Sequence, residues 1–139
     1  ALEQVLLNLL ENAARYGRVA PQGENAEPSP CEVCVCARGS AQVVLRVRDR
    51  GRGVAPRERA QVFERFYRTP DAVKSHVAGT GLGLAIVRGL ARAMSGDARI
   101  VDPGDGGPGC AIEVTLPASP ADADAAPAPT KAPTKALSA

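Results

Sequence analysis

Asn8, Glu11, Asn12 and Arg15 follow one another at steps of three, one and three residues. At about 100° per residue they fall on one narrow helix face. A solvated polar stripe is the ordinary account of such a face. Exposed faces, however, favour Lys and Glu, and Asn is a poor helix former. Two amide oxygens beside a cation suit a magnesium ion and phosphates. Mg²⁺ takes hard oxygen ligands, keeps waters and shares the phosphates of its substrate.

Asp49 stands in "VRDRGRGV", where Leu45-Arg46-Val47 reads as the end of a strand. Asp and Gly also make turns, which is the plain reading. The chemical reading is a carboxylate at a strand end. It would accept from an exocyclic amino donor such as adenine N6. Gly51 and Gly53 would leave room for a flat base.

Residues 79–87, "GTGLGLAIV", hold Gly79, Gly81 and Gly83 around Thr80 and Leu82. Glycine-rich turns at helix starts bind phosphate through unpaired N–H groups and the helix dipole. The stretch is not a Walker A loop, because no Lys follows Gly83. It is not a dinucleotide fingerprint either, since Ile86 stands where Gly or Ala is required. A loop that merely packs closely is the competing account. In "VFERFYR", Phe63 and Phe66 are spaced to anchor a short helix in a core. Arg68, Lys74 and His76 follow on a polar stretch, as surface cations or as groups closing over phosphates.

The elements that must carry these residues can be read from patterning. Leu2, Val5, Leu6, Leu9, Ala13 and Tyr16 make an apolar helix face that stops at Gly17. The helix starts in mid-pattern, which reads as a fragment or a truncated gene product. Residues 18–30 are Pro- and Gly-rich and predict a loop. Residues 31–49 predict a hairpin turning at Arg38-Gly39-Ser40. Residues 57–66 predict a short helix, 68–80 a flexible connection, and 82–94 a helix. Residues 98–101 and 110–116 predict a closing hairpin. After Pro117 the chain becomes Ala- and Pro-rich, the composition of a disordered tail over 118–139.

The chain has 139 residues, 45% apolar and 23% charged, with net charge +2. This bounds one globular domain and gives no electrostatic case for nucleic acid or an anionic membrane. Aromatic residues make up only 3%, and there is no Trp, so stacking platforms for single strands are missing. No apolar run spans a bilayer. Cys31, Cys34, Cys36 and Cys110 are expected to be reduced packing residues rather than zinc ligands, which would need paired CxxC spacing.

Taken in order, "NLLENAARY", "DRGRG", "VFERFYR" and "GTGLGLAIV" resemble the N, G1, F and G2 boxes of sensor histidine kinases. The resemblance is to the catalytic ATP-binding domain of that family and runs from about Leu2 to Pro117. "LEQVLLNLLENAARY" is especially similar to potassium-transport sensor kinases. The resemblance implies an α+β Bergerat-type two-layer sandwich. Its sheet would be mixed and mostly antiparallel, with helices on one face, and residues 1–117 would lack the usual first strand and helix.

It also implies roles. Asn12 would bind Mg²⁺, Asn8 would stand where related ATPases carry a catalytic Glu, and Arg15 would reach the phosphates. Tyr16 would lie near the nucleotide. Asp49 would hold the adenine amino group, with Gly51 and Gly53 shaping the pocket. Residues 68–80 would form an ATP lid carrying Arg68 and Lys74. Gly79, Thr80, Gly81, Leu82 and Gly83 would set backbone N–H groups beside the triphosphate. The cofactors implied are ATP and Mg²⁺. The partners implied are a His-bearing dimerisation domain and a response regulator, in a cytoplasmic module of a bacterial kinase that can be anchored in the inner membrane.

The pattern departs from the family in places. Arg50 replaces the Asn common after the G1 aspartate, and "AMSGD" replaces a His-Gly-Gly-like turn. His76 falls in the lid, so it is not the phospho-acceptor. A non-catalytic nucleotide-binding or anti-sigma-like module is the alternative. An ATPase of the gyrase, mismatch-repair or chaperone type would need Glu where Asn8 stands.

Overall fold

A computed structural model describes residues 1–17, 31–76 and 78–118. The expected loop at 18–30 and nearly all of the expected tail lie outside the described residues.

Helix α1 (Leu2–Tyr16) buries Val5, Leu9 and Ala13. Strands β1 (Glu32–Arg38) and β2 (Gln42–Arg48) form the hairpin expected from alternation. Short helix α2 is Pro70–Lys74, and α3 is Gly83–Ala93. Strands β3 (Asp97–Val101) and β4 (Ala111–Pro117) make the closing hairpin. The sheet order is β1-β2-β4-β3. All three junctions are antiparallel, so the parallel pairing expected of a mixed sheet is not found among the described strands.

Period-2 alternation divides the sheet into two faces. Leu45, Val47, Ile112, Val114 and Ala98 pack with Val5, Leu9 and Ala13 of α1 and with Val87 and Ala91 of α3. Both long helices therefore cover one face, as expected. On the opposite face Arg46, Glu113 and Arg99 stand in one cross-strand row. Glu113 is 2% exposed and accepts hydrogen bonds from Arg38, Arg46 and Arg99. Burial pushes its carboxyl up, but the bonds from Arg46, Arg38 and Arg99 outweigh burial and bring it down to about 2.

Three expectations fail locally. Residues 57–66 are not one helix but two 3₁₀ turns, Pro56–Glu58 and Gln61–Phe63. Pro56 opens the first turn, and the chain is extended at Glu64. Phe63 is buried beneath the Arg88 guanidinium, whereas Phe66 is 71% exposed with φ 65° and anchors nothing. The connection at 68–80 carries α2, whose start is capped by the Thr69 hydroxyl accepting from the Ala72 N–H at 3.2 Å.

The cysteines also differ from expectation. Cys110 is a buried packing residue, and burial pushes its thiol up to about 12. Cys31, Cys34 and Cys36 are exposed, because β1 is an edge strand that no described helix covers.

Candidate functional site

The last turn of α1 meets the end of β2 at very short range. A Cβ on Gly17 would lie 2.8 Å from the Asp49 Cβ, and a Cβ on Gly51 would run into the Tyr16 carbonyl oxygen. Gly17 is not in the left-handed conformation usual at a helix stop, since its φ is −77°. Gly17 and Gly51 are thus needed to bring the polar face of α1 against Asp49. Gly51 does not line the cleft beside them. Its close approach is to the Tyr16 carbonyl and Gly17 rather than to the cleft.

Asp49 is 5% exposed. Its Oδ1 accepts from the Gly51 N–H at 2.8 Å and from the Cys110 N–H at 3.2 Å. Among the described residues its Oδ2 accepts nothing, and Asp49 lines a cleft of about 640 Å³. Burial pushes this carboxyl up, opposed by the two N–H groups and by the Arg48 guanidinium. One oxygen is therefore fixed and the other is available to a donor in the cleft.

The cleft brings together Asn8, Asn12, Arg15, Tyr16, Asp49, Gly53, Arg68, Gly79, Thr80, Gly81 and Gly83. Leu82 lines an adjoining hollow with Asn8 and Gly83. Val62, Leu84 and Ile100 give the cleft an apolar wall. Lys74, exposed at the end of α2, lines neither space.

Asn8 donates from Nδ2 to the Gln4 carbonyl at 2.8 Å, a bond back along the helix. Arg15 forms an ion pair with Glu11 at 3.4 Å. Arg15 Nη1 and Tyr16 Oη each lie 3.5 Å from where a Gly79 Cβ would stand. The end of α1 therefore faces the glycine-rich turn directly.

The three glycines of that turn differ. Gly81 has φ 73°, and a Cβ there would lie 2.8 Å from the Tyr67 carbonyl oxygen. Its own carbonyl accepts from the Phe66 N–H at 2.9 Å. The protein itself excludes a side chain at Gly81. Gly79 and Gly83 have ordinary room and border the cleft. Beyond Gly83, the first turn of α3 presents its positive end to the same space.

Several lining groups escaped the sequence reading. Arg59 donates to Asp102 at 2.6 Å across the rim, and Tyr67 Oη donates to Glu58 at 3.2 Å. Ile100 was legible as an inward position of β3 by alternation. The Arg59–Asp102 pair spans 43 positions and carries no local signal.

The family model "Histidine kinase-, DNA gyrase B-, and HSP90-like ATPase" matches residues 1–120. The chain belongs to this family. It is 40% identical over 124 residues to the signal transduction histidine-protein kinase/phosphatase MprB of Mycolicibacterium vanbaalenii. That alignment covers 88% of the chain and 24% of the relative. The MprB of Mycobacterium ulcerans is also 40% identical, over 91% of the chain and 23% of the relative. The chain thus spans about a quarter of the length of these curated relatives.

Among solved structures, a mycobacterial sensor histidine kinase MprB matches with TM-score 0.65 and 33% identity. The match covers 82% of this chain and 68% of that one. Full-length ShkA in complex with AMPPNP matches with TM-score 0.63 and 32% identity, over 83% of this chain and 21% of that one. The histidine-kinase resemblance of the four boxes is upheld. These relatives lend no support to the potassium-transport subfamily.

Proposed function

We propose that this chain is the ATP-binding catalytic module of a sensor histidine kinase. The observation that carries the reading is Asp49, with Oδ1 fixed by two backbone N–H groups and Oδ2 available in the cleft. Oδ2 accepts from the adenine amino group, while Val62, Leu84 and Ile100 flank the base. The triphosphate runs toward Gly79, Gly83 and the positive end of α3, with the Arg15 guanidinium alongside.

Asn12 fits a magnesium site of the shared kind. It offers one hard amide oxygen in the cleft, and the described residues contain no cluster of three His, Cys, Asp or Glu that would hold a cation alone. Asn12 would hold Mg²⁺ together with phosphate oxygens and waters. Bound there, the ion supplies charge neutralisation on the phosphates.

The module positions ATP and contributes no covalent nucleophile. Its γ-phosphoryl group passes to a His on a separate dimerisation domain and then to an Asp of a response regulator. Arg15 stabilises charge on the transferring group. Arg68 approaches the same space from the connection before α2. Asn8 carries an amide already donating to Gln4, which gives no general base for water attack, so transfer rather than hydrolysis is the assigned reaction. No helix among the described residues is long and apolar enough to cross a membrane. Placement on the cytoplasmic side of a membrane-anchored parent follows from the kinase reading alone.

The test uses γ-labelled ATP. The chain alone incorporates no label, and adding the acceptor domain of its parent kinase yields labelled acceptor. Label on this chain alone, or none on the acceptor while ATP is bound, contradicts the proposal.

A further inference from the structure

The β3–β4 loop, residues 102–110, forms one wall of the cleft at its Asp49 end. Val54, Ala55, Glu58 and Arg59 stand on the wall opposite. Backbone joins the two walls at the bottom. A Cβ on Gly109 would run into the Asp49 carbonyl oxygen, and one on Gly53 would lie 2.7 Å from the Gly109 carbonyl oxygen.

Two ion pairs hold the loop above that seam, and they differ in kind. Arg48 is 8% exposed, and its Nη2 lies 2.7 and 2.6 Å from the two carboxylate oxygens of Asp105. Asp105 Oδ1 also accepts from the Gly107 N–H at 3.0 Å. This pair is a fixed pivot, because breaking it leaves a guanidinium out of water. Arg59 reaches Asp102 across the rim through one bond of 2.6 Å, and the Asp102 side chain is 80% exposed. Such a pair forms and breaks at little cost. Between the two pairs the loop has slack, since a Cβ on Gly104 would meet no atom within 4 Å.

Arg59 stands over the Asp49 end of the cleft. Burial and the Asp49 charge push the Cys110 thiol up, and the Arg59 guanidinium pulls against them. Its charge therefore reaches the cleft floor beside Asp49.

We propose, on the reading of the cleft as an ATP site, that Arg59 and Asp102 form a clasp across its base end. The clasp parts to admit or release the nucleotide and closes between solvent and the base held at Asp49. It is made both before and after binding and is broken only in passage. It therefore acts on rates: entry and exit slow together, and affinity moves less than either.

The experiment is stopped-flow mixing of the full chain with an ATP that carries a fluorescent reporter on its γ-phosphate, which leaves the base end unaltered. Arg59→Gln and Asp102→Asn should each speed association and dissociation about two- to fivefold, with affinity changed by less than about twofold. Electrostatic steering alone would act oppositely in the two variants, since one removes a cation and the other an anion from the path of a polyanion. Exchanging the charges, Arg59→Asp with Asp102→Arg, should restore the slow rates. In about 0.5 M salt the wild type should approach the two single variants, because the pair is exposed and screened. Rates unchanged in both single variants, or shifted in opposite directions, overturn the clasp and leave the ATP site standing. Faster dissociation without faster association reads as a lost contact with the ligand and overturns it too. A folded wild type that takes up no labelled nucleotide overturns both the clasp and the ATP site.

Discussion

Asp49 and Cys110 are joined twice, although 61 positions separate them. The Asp49 N–H donates to the Cys110 carbonyl, and the Cys110 N–H donates to Asp49 Oδ1. The first bond continues the β2–β4 ladder, and the second fixes the carboxylate. A single strand end thus serves as both sheet terminus and ligand holder. Its second oxygen is directed by the fold and not by a rotamer chosen when ligand arrives.

That arrangement costs stability. Burial raises the folded-state pKa of Asp49 above its unfolded value. The contribution of the group is fully present below the ordinary carboxylate range and is lost as pH rises through the raised value. Asp49→Asn keeps an acceptor for both N–H groups and removes the buried charge. Its melting temperature near pH 7 should equal or exceed that of the wild type. A clear drop in a thermal melt would show that the carboxylate is structurally needed.

Glu113 behaves in the opposite sense. Its pKa is held at about 2, so its contribution is present above the ordinary Glu range and is lost as pH falls from there toward 2. The arginines are substantially exposed, which reduces the value of each pair. Glu113→Gln should cost about 1–3 kcal/mol in urea unfolding at pH 7 and much less at pH 2. An equal cost at both pH values would remove charge from the explanation.

Gly79 and Gly81 should separate function from folding. Gly81→Ala forces a side chain into backbone at φ 73° and should cost about 1–3 kcal/mol. Gly79→Ala has room, so it should melt like the wild type while binding ATP more weakly. The pair is compared by thermal melts and calorimetry. Similar melts for both would refute the distinction.

Asn12→Ala should fold normally, because Asn12 lies on the cleft face of α1 and not in its core. ATP affinity measured with and without Mg²⁺ should lose most of its metal dependence. An undiminished magnesium effect would move the ion to other residues.

The elements were legible wherever one periodicity ran unbroken. The apolar face of α1 and the alternation in β2 and β4 fixed both, and the four boxes located most of the cleft. Local pattern misled where distant backbone decides. Gly51 looks like a pocket residue, yet the close approach of Tyr16 is what demands it. Phe66 sits at helical spacing from Phe63, but its N–H is taken by Gly81 and it turns outward. Lys74 follows Arg68 in sequence, and α2 carries it away from the cleft. Cys34 and Cys36 alternate like core residues, but they lie on a strand whose outer side no described element covers.

The most direct measurement is a calorimetric titration of Mg-ATP into the purified chain, with Asp49→Asn beside it. The amide would present an N–H where the adenine amino group also donates, so the two would clash. We expect saturable one-to-one binding by the wild type and a loss of about tenfold or more in the variant, with both chains folded. A folded wild type that takes up no nucleotide, or a variant that binds as well, would contradict the assignment of this cleft to ATP.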